Sequence, residues 1–342
     1  MKAQKTDGAS RTDTLVITNG DSAAVRLEEA GVARSILPWR DVLHDGPVPA
    51  ISGLERLSAI RAAFIAADLG LSADEVGAEF RERDATVRRH ACFPRIEIWL
   101  EHDLYDQLQL LQILDFFRSE RRLEGLYLVQ ADDYLGRQPA DAMRRLAGSA
   151  QPVTEEQLAL AGEAWSAFTS PTPHALAGLA ERDVEALPHL GPALRRLLAE
   201  LPDPVRGLTL TEERTLDRLA EGEATSGELF RDVTRQEDAQ FLGDASFFRR
   251  LDGLAFADRP LIEGLPGPSQ AYLGLDRRSV GEHYAEFARA PLRLTKAGRA
   301  VLAGRADHRV LNRVDHWVGG VHVSPAALIR YDRAGGHLVA QA

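Results

Sequence analysis

The feature that most constrains the fold is an alternation of short apolar runs and amphipathic segments over residues 14–135. Four runs rich in Val, Ile and Leu are typical of strands: Thr14–Thr18, Ser35–Trp39, Arg95–Leu100 and Gly125–Val129. Helical periodicity lies between them, over 23–30, 54–69, 73–90 and 104–117. Strands that alternate with helices form a mainly parallel sheet with right-handed crossovers. The sequence therefore predicts a Rossmann-like α/β domain over residues 12–136.

The pattern changes twice after residue 136. Residues 137–205 are helical and interrupted by prolines, which predicts an all-helical connector, and Leu201–Val205 has the composition of a linker. In residues 206–342, three helical segments at 208–219, 225–234 and 244–254 precede short apolar runs at 260–262 and 291–295. That order is typical of a winged helix-turn-helix, so we expect a winged-helix-like α+β domain there.

Composition narrows the class of protein. Hydrophobic residues make up 44% and charged residues 27%, as in a folded globular chain. The formal net charge of −10 disfavours a protein that coats nucleic acid, although the nearly neutral part after residue 205 leaves room for a local DNA-binding face. Cys92 is the single cysteine, Met1–Thr12 is polar, and no stretch is long enough to cross a bilayer. We expect a cytoplasmic protein without a membrane partner.

Polar side chains follow each of the four predicted strands. In an open parallel sheet, ligands bind outside the carboxyl ends of the strands, where the strand order reverses. The candidate ligand contacts are Asn19, Gly20, Asp21, Ser22, Asp45, Gly46, Glu101, Asp106, Gln107 and Asp132. The candidate catalytic groups are Asp41, His44, His102 and Asp103. The sequence therefore predicts one polar site at this edge of the sheet.

The turn after the first strand suits an anion. Gly20 permits a tight turn, and the backbone N–H groups of residues 21–23 can face a phosphate or carboxylate at the helix N-terminus. No dinucleotide fingerprint and no P-loop follows. The alternative is that Asp21 or Ser22 only caps the helix. A serine hydrolase of the Gly-Asp-Ser-Leu type is disfavoured, because Ala23 replaces the Leu and no Asp-x-x-His follows near the C-terminus of this domain.

A divalent cation is a second expectation for this edge. His44, Asp45, His102 and Asp103 mix imidazole with carboxylate, which suits Zn, Mn or Fe better than Ca. Such an ion lowers the pKa of its bound water and holds a phosphate in line. The structural alternative is that Asp103 caps the following helix and Asp106 complements the helix dipole. Trp39 and Trp99 flank these clusters, where they either stack a base or are buried.

The C-terminal part offers two further polar groups. If it is a winged helix, the third helix presents Ser246, Arg249 and Arg250 to DNA, with Arg293 and Lys296 near the wing. Winged domains also serve as packing or dimerisation modules, which is the alternative. Near helical spacing in residues 307–316 also predicts a second polar pocket, against the alternative of capping and packing. Its candidates are Asp307, His308, Asn312, Asp315 and His316, followed by His322.

Three blocks of the first domain carry a family resemblance. Ile17–Ser22, Trp39–Pro47 and Trp99–Gln109 resemble, in order, the bacterial family called domain of unknown function 1835. The segments Leu294–His308 and Gly319–His322 resemble the C-terminal region of its longer members. The resemblance implies an α/β fold and no established activity, so it implies no catalytic role for any residue.

Three hypotheses follow for function. The first is an enzyme or binding protein for a small phosphorylated or nucleotide-like ligand, with metal-assisted phosphoester or nucleotide hydrolysis as its reaction. The second is a transcriptional regulator that senses a ligand in the α/β domain and binds DNA through the winged domain. The third is an interaction scaffold.

Overall fold

The chain begins with a five-stranded sheet, seen in a computed structural model that describes residues 14–182, 184–270, 277–327 and 329–339. Its strands are β1 (Thr14–Thr18), β2 (Ser35–Pro38), β3 (Arg95–Glu101), β4 (Leu126–Ala131) and β5 (Gln151–Pro152). Their order is β2-β1-β3-β4-β5, and β5 alone is antiparallel to its neighbour. The prediction of an α/β fold with a mainly parallel sheet is confirmed. The polar segment Met1–Thr12 lies outside the described residues.

The strand order reverses between β1 and β3. From β1 the chain passes to β2 on one side of it, and then to β3 on the other. The helices of this part are α1 (Asp21–Ala30), α2 (Leu54–Leu69), α3 (Ala73–Arg88) and α4 (Leu104–Ser119). Most of α4 is buried, because it packs between β3 and the helices that follow. The loops after β1 and β3 therefore meet at the point where a ligand is expected.

The segment after β4 covers the sheet domain. It contains α5 (Ala140–Ala147), α6 (Glu155–Thr169), α7 (His174–Ala180) and α8 (Leu190–Leu198). Both α6 and α8 contact α4. The interpretation of Leu201–Val205 as a linker is wrong: Leu201, Pro202 and Asp203 are buried. The Asp203 carboxylate accepts hydrogen bonds from the backbone of Val205, Arg206 and Leu208, which fixes a turn there.

The C-terminal part combines helices with a small antiparallel sheet, in which β8 pairs with both β6 and β7. In chain order it contains α9 (Leu210–Ala220), β6 (Ala224–Thr225), α10 (Ser226–Thr234), α11 (Asp244–Ala255), β7 (Ile262–Glu263), α12 (Arg277–Arg289), β8 (Pro291–Leu294) and α13 (Lys296–Leu302). Capping boxes at Thr209 and Thr225 begin α9 and α10.

Two hairpins follow. The last elements are α14 (His308–Leu311), β9 (His316–Val318), β10 (Val321–Val323), β11 (Arg330–Asp332) and β12 (His337–Val339). A single helix through 307–316 was therefore wrong: Asn312 ends α14, where its side chain bonds the backbone of Arg259. His316 starts a strand instead.

One apolar cluster runs through all three parts of the chain. It includes Leu15 of β1, Leu111 of α4, Leu194 of α8 and Leu216 of α9. The predicted boundaries near residues 136 and 205 stay predictions, and no break in the core marks either of them. Among the described residues, no helix is long and apolar enough to cross a membrane.

Candidate functional site

Three carboxylic side chains meet where the strand order reverses. Glu101 ends β3, Asp103 precedes α4, and Asp106 lies in the first turn of α4. Oxygen atoms of the three lie within 4.8 Å of one another, and the side chains are buried. In the part of the chain that the structure describes, no other group of three or more His, Cys, Asp or Glu side chains comes this close. We call these three residues the strand-end cluster.

Backbone groups hold the strand-end cluster in place. Asp103 caps α4 by accepting from the Asp106 N–H at 3.2 Å, as the sequence allowed. Asp106 accepts from the Glu101 N–H at 2.7 Å and from Asn19 Nδ2 at 3.0 Å. Glu101 Oε1 accepts from the Leu135 N–H at 2.7 Å. The loops after β1, β3 and β4 are thus joined through carboxylate oxygens.

The carboxylic groups of the strand-end cluster have raised pKa values. Burial, and then the charge of Glu101, raises the pKa of Asp103 to about 7. Burial and repulsion from Asp103 and Glu101 raise the pKa of Asp106 well above its ordinary value, and burial raises that of Glu101. No Lys or Arg of the described residues is among the groups that act most strongly on these pKa values. Charge on the cluster is therefore costly at neutral pH unless a proton or another cation compensates it.

The start of α1 lies beside the strand-end cluster. Gly20 precedes α1 and no side chain caps it, so the prediction of a cap by Asp21 or Ser22 was wrong. Asp21 is instead exposed and bound by Arg40, with Arg40 Nη2 at 2.6 Å from Oδ1. The Asn19 carbonyl accepts from the Tyr105 hydroxyl at 3.3 Å. The predicted anion cradle therefore adjoins the carboxylates through Asn19.

Asp41, a predicted catalytic group, lies in a buried ion pair. It is fully buried and pairs with Arg61, whose Nε lies 2.9 Å from Asp41 Oδ1. Arg61 also donates to the carbonyls of Val42, Asp45 and Pro47. This ion pair fixes the loop after β2 and is not part of the strand-end cluster.

The other candidates at this edge are dispersed. His102 is half-buried, and its ring packs against Tyr134 at 5.5 Å and against His189 at 6.0 Å between centroids. Asp132 is exposed and lies 3.4 Å from His189 Nε2. Gln107 is buried and donates from Nε2 to the Glu101 carbonyl at 2.7 Å, while its Oε1 has no partner.

The four predicted metal ligands do not come together as one group in the described residues, and Asp103 alone belongs to the strand-end cluster. The reason is the position of β2 at the edge of the sheet, beyond β1, which carries its loop toward the C-terminal part. The signal for the real grouping was the spacing of Asp103 and Asp106, which share a helix face, after Glu101 at a strand end.

Asp45 belongs to a second cluster, between the loop after β2 and α11. Arg250 Nη2 lies 3.0 Å from Asp45 Oδ1 and its Nε 3.4 Å from Glu200 Oε2. Arg249 Nη2 lies 2.8 Å from Asp68 Oδ2 and 3.3 Å from Asp45 Oδ2. We call these five residues the junction cluster.

The junction cluster favours the ionised form of Asp45 and Glu200, whereas burial raises the pKa of its third carboxylate, Asp68, to about 6. Burial acts to raise the pKa of Glu200, but Arg196 and Arg250 outweigh it and lower the pKa to about 2. Burial also opposes ionisation of Asp45, and Arg250 lowers its pKa far below the ordinary value. Sequence reasoning missed Glu200 and Asp68, since each lies on a helical segment remote from any strand end.

The predicted DNA contacts differ in their exposure to solvent. Arg249 and Arg250 are mostly buried in the junction cluster, and Arg249 Nη2 also donates to Ser246 Oγ at 3.2 Å. Arg293 is exposed on β8 and pairs with Glu263 at 2.8 Å. Lys296 begins α13.

The tryptophans do not offer a stacking surface. Trp39 and Trp99 are 1% and 0% exposed, and each indole N–H has a buried acceptor, Gln112 Oε1 and Glu97 Oε2 respectively. Burial, the alternative interpretation of both residues, is confirmed.

Comparison with known proteins adds no further constraint. No family model matches the chain, and neither does any curated protein. Function is therefore argued from the geometry.

Proposed function

We propose that the protein is a cytoplasmic enzyme that binds a phosphorylated, nucleotide-like ligand through a divalent cation held by Glu101, Asp103 and Asp106. The observation that carries the proposal is a set of three buried carboxylic groups whose oxygens lie within 4.8 Å of one another. A dication supplies the positive charge that no Lys or Arg of the described residues provides there.

The donor set favours Mg²⁺ or Mn²⁺. The cluster offers oxygen atoms alone, which such hard cations prefer, whereas the imidazoles expected for zinc lie elsewhere. Gln107 supports the same conclusion. Its buried Oε1 has no hydrogen-bond partner, although Nε2 of the same amide is anchored to the Glu101 carbonyl. An unpaired amide oxygen next to three carboxylates suits a cation as a further acceptor.

The start of α1 completes the proposed ligand site. Its first-turn N–H groups have no side-chain cap, and the partial positive charge of a helix N-terminus favours a phosphate. Arg40 adds a guanidinium at the same end. A divalent cation held by Glu101, Asp103 and Asp106 would lower the pKa of a bound water, and the start of α1 would hold the phosphate, so hydrolysis of a phosphoester or nucleotide is the proposed reaction.

The experiment compares cation binding by the wild type and two variants of α4 and its cap. Asp103→Asn keeps the cap, since Asn is also a good N-cap, but removes a charged ligand. We expect the wild type to bind Mn²⁺ calorimetrically at pH 8, with affinity weakened about tenfold or more in Asp103→Asn. Asp115→Asn is the matched control: Asp115 pairs with Arg118 on the outer side of α4, so its affinity should equal the wild type's.

Phosphoester hydrolysis by the same proteins provides a second measurement. Release of nitrophenol from p-nitrophenyl phosphate should require Mn²⁺ or Mg²⁺ and be lost in Asp103→Asn. Absence of cation binding by the wild type, or equal binding by Asp103→Asn, would overturn the proposal.

A second candidate is a ligand-sensing regulator with a winged-helix DNA-binding domain behind a Rossmann-like sheet. The element order α9, β6, α10, α11, β7, α12, β8 favours it, because a winged helix has this order apart from the helix α12 between the last two strands. Against it, the two arginines of α11 already bind Asp45. Binding of duplex DNA at low salt that Arg293→Ala weakens supports this candidate, and no shift of any genomic fragment rejects it. We likewise propose that the chain belongs to the family called domain of unknown function 1835, and this membership implies no particular reaction.

A further inference from the structure

A cavity of about 370 Å³ lies between the α/β domain and the C-terminal part, away from the strand-end cluster. Its walls come from the loop after β2, from α2 and α11, and from residues 308–317. The volume is within the range of small-molecule sites. It joins residues that the sequence had assigned to separate sites, among them His44, Arg249 and His316.

The unpaired ring nitrogens of His44 are the first observation that indicates a ligand in this cavity. Its side chain is about 97% buried at the cavity wall, and neither ring nitrogen has a hydrogen-bond partner. Phe241 and Tyr105 contact the ring edge-on, at 5.1 and 5.9 Å between centroids. Burial lowers the pKa of His44 to about 4, so at pH 7 the ring is neutral and offers one donor and one acceptor. Buried polar atoms are rarely left unpaired in proteins.

The charge of the walls indicates the sign of the ligand. Five carboxylates line the cavity: Asp45, Asp68, Glu200, Glu212 and Asp315. Three guanidinium groups line it as well: Arg249, Arg250 and Arg313. Counting these groups alone, the wall carries an excess of two negative charges, one of which is offset by Arg196, 2.8 Å from Glu200. An anion at Arg249 or Arg250 would have to displace the carboxylates that these residues already bind, which leaves it the exposed Arg313, whereas a cation finds acceptors in excess.

Asp68 is the carboxylate best placed to accept a cation. Its ion pair is with Arg249, which it shares with Asp45. The aromatic rings of Phe64 and Trp317 also line the cavity, but the Arg61 guanidinium already lies 5.1 Å from the Phe64 ring centroid and His322 stacks on Trp317 at 4.4 Å. Gly46 lets the loop approach Phe64: its φ is +72°, and a Cβ there would lie 2.4 Å from the ring. The close approach of this loop to α2 therefore depends on glycine at position 46.

A metal ion fits this cavity less well than a molecule. In the described ranges, the acidic and imidazole groups of its walls do not approach one another as those of the strand-end cluster do. Groups that are spread around a cavity are bridged by an organic molecule with more than one donor.

We propose that this cavity binds a small organic dication with primary amines at both ends, such as a short diamine. One ammonium donates to Asp68 and to the unprotonated nitrogen of His44, and the other meets the acidic side near Glu212 and Asp315. Each ammonium has three donors and no acceptor, which suits walls with carboxylates in excess. The proposal stands independently of cation binding at the strand-end cluster.

The experiment uses three linear probes of similar length: 1,4-diaminobutane, uncharged 1,4-butanediol and dianionic succinate. Calorimetric titration of the full chain should show binding of the diamine and neither of the other two. Asp68→Asn should weaken diamine binding about tenfold or more. Asp74→Asn, an exposed change of the same type at the start of α3, should leave it unchanged.

A second variant keeps the proposal testable if Asp68→Asn does not fold. His44→Phe fills the same space among Phe241 and Tyr105 and removes the unpaired nitrogens, so the fold should persist while the diamine binds several-fold more weakly. Binding of Mn²⁺ by both variants should match the wild type, which separates this proposal from the one above. Equal affinity for succinate or butanediol, no binding up to about 10 mM diamine, or wild-type affinity in both variants would overturn the proposal.

Discussion

The strand-end cluster and the junction cluster are both buried groups of carboxylates, yet their protons behave in opposite ways. The pKa of Asp103 rises to about 7, whereas that of Glu200 falls to about 2. Burial alone acts in the same direction at both places, since it disfavours the charged form. The difference is the neighbour: Asp103 faces Glu101, and Glu200 faces Arg196 and Arg250. The charge of the neighbours separates Asp103 from Glu200, although at Asp68 burial outweighs the ion pair with Arg249 and raises the pKa to about 6.

This difference assigns different roles to the two regions. The junction cluster pairs Asp45 and Glu200 with Arg250 and fixes the loop after β2 against α11. At the strand-end cluster, no Lys or Arg of the described residues is among the groups that act most strongly on the carboxylates, so this cluster is the part that suits an external metal ion.

The largest expected effect comes from breaking the junction cluster. Arg250→Ala removes one cation from between Asp45 and Glu200 and leaves both carboxylates less compensated in a buried place. Removing one partner of a buried ion pair costs roughly 3–5 kcal/mol. We expect the urea midpoint of unfolding at pH 7 to fall accordingly.

The control for this change is Arg145→Ala, which removes an exposed i,i+4 pair with Asp141 on α5 and should leave the midpoint nearly unchanged. A loss in Arg250→Ala no larger than in this control would show that the junction cluster contributes little to stability. The difference between the two clusters would then not be reflected in the free energy of unfolding.

A smaller effect, of opposite sign, is expected at the strand-end cluster. The pKa of Asp103 is about 7 in the folded chain against 3.8 as its reference value. The stability from its bound proton is therefore fully present below pH 3.8 and is lost as pH rises toward 7. Asp103→Asn lacks this loss, so the variant should become more stable than the wild type by roughly 3 kcal/mol between pH 4 and pH 7.

The measurement is urea unfolding of both proteins across this pH range, with EDTA present throughout. The difference between them should grow up to about pH 7 and stay constant above it. If the difference in free energy of unfolding between the two proteins did not change with pH, Asp103 would ionise like an exposed carboxylate. That result would contradict the proposal that the strand-end cluster binds an external cation. Adding Mn²⁺ at pH 8 should raise the stability of the wild type alone.

Much of the fold could be predicted from the sequence because it depends on local pattern. The helix at 54–69 and the four parallel strands follow from periodicity and β-branched residues, and they lie where predicted. Asp103 as a helix cap is equally local, since its carboxylate and the N–H that donates to it are three residues apart. The interpretation of Leu201–Val205 as a linker failed because two prolines resemble an exposed hinge, while burial of that segment depends on distant packing.

By itself, the sequence determined the elements, the parallel sheet and the polar character of its carboxyl edge. The tertiary structure alone decided which of those polar residues share a site. It separated His44 and Asp45 from Asp103, and it brought Asp45 to Arg250, 205 residues away. The physical reason is that helix and strand formation depend on neighbours within a few residues, whereas the ionisation of a buried carboxylate depends on which distant charges the fold brings within a few ångströms.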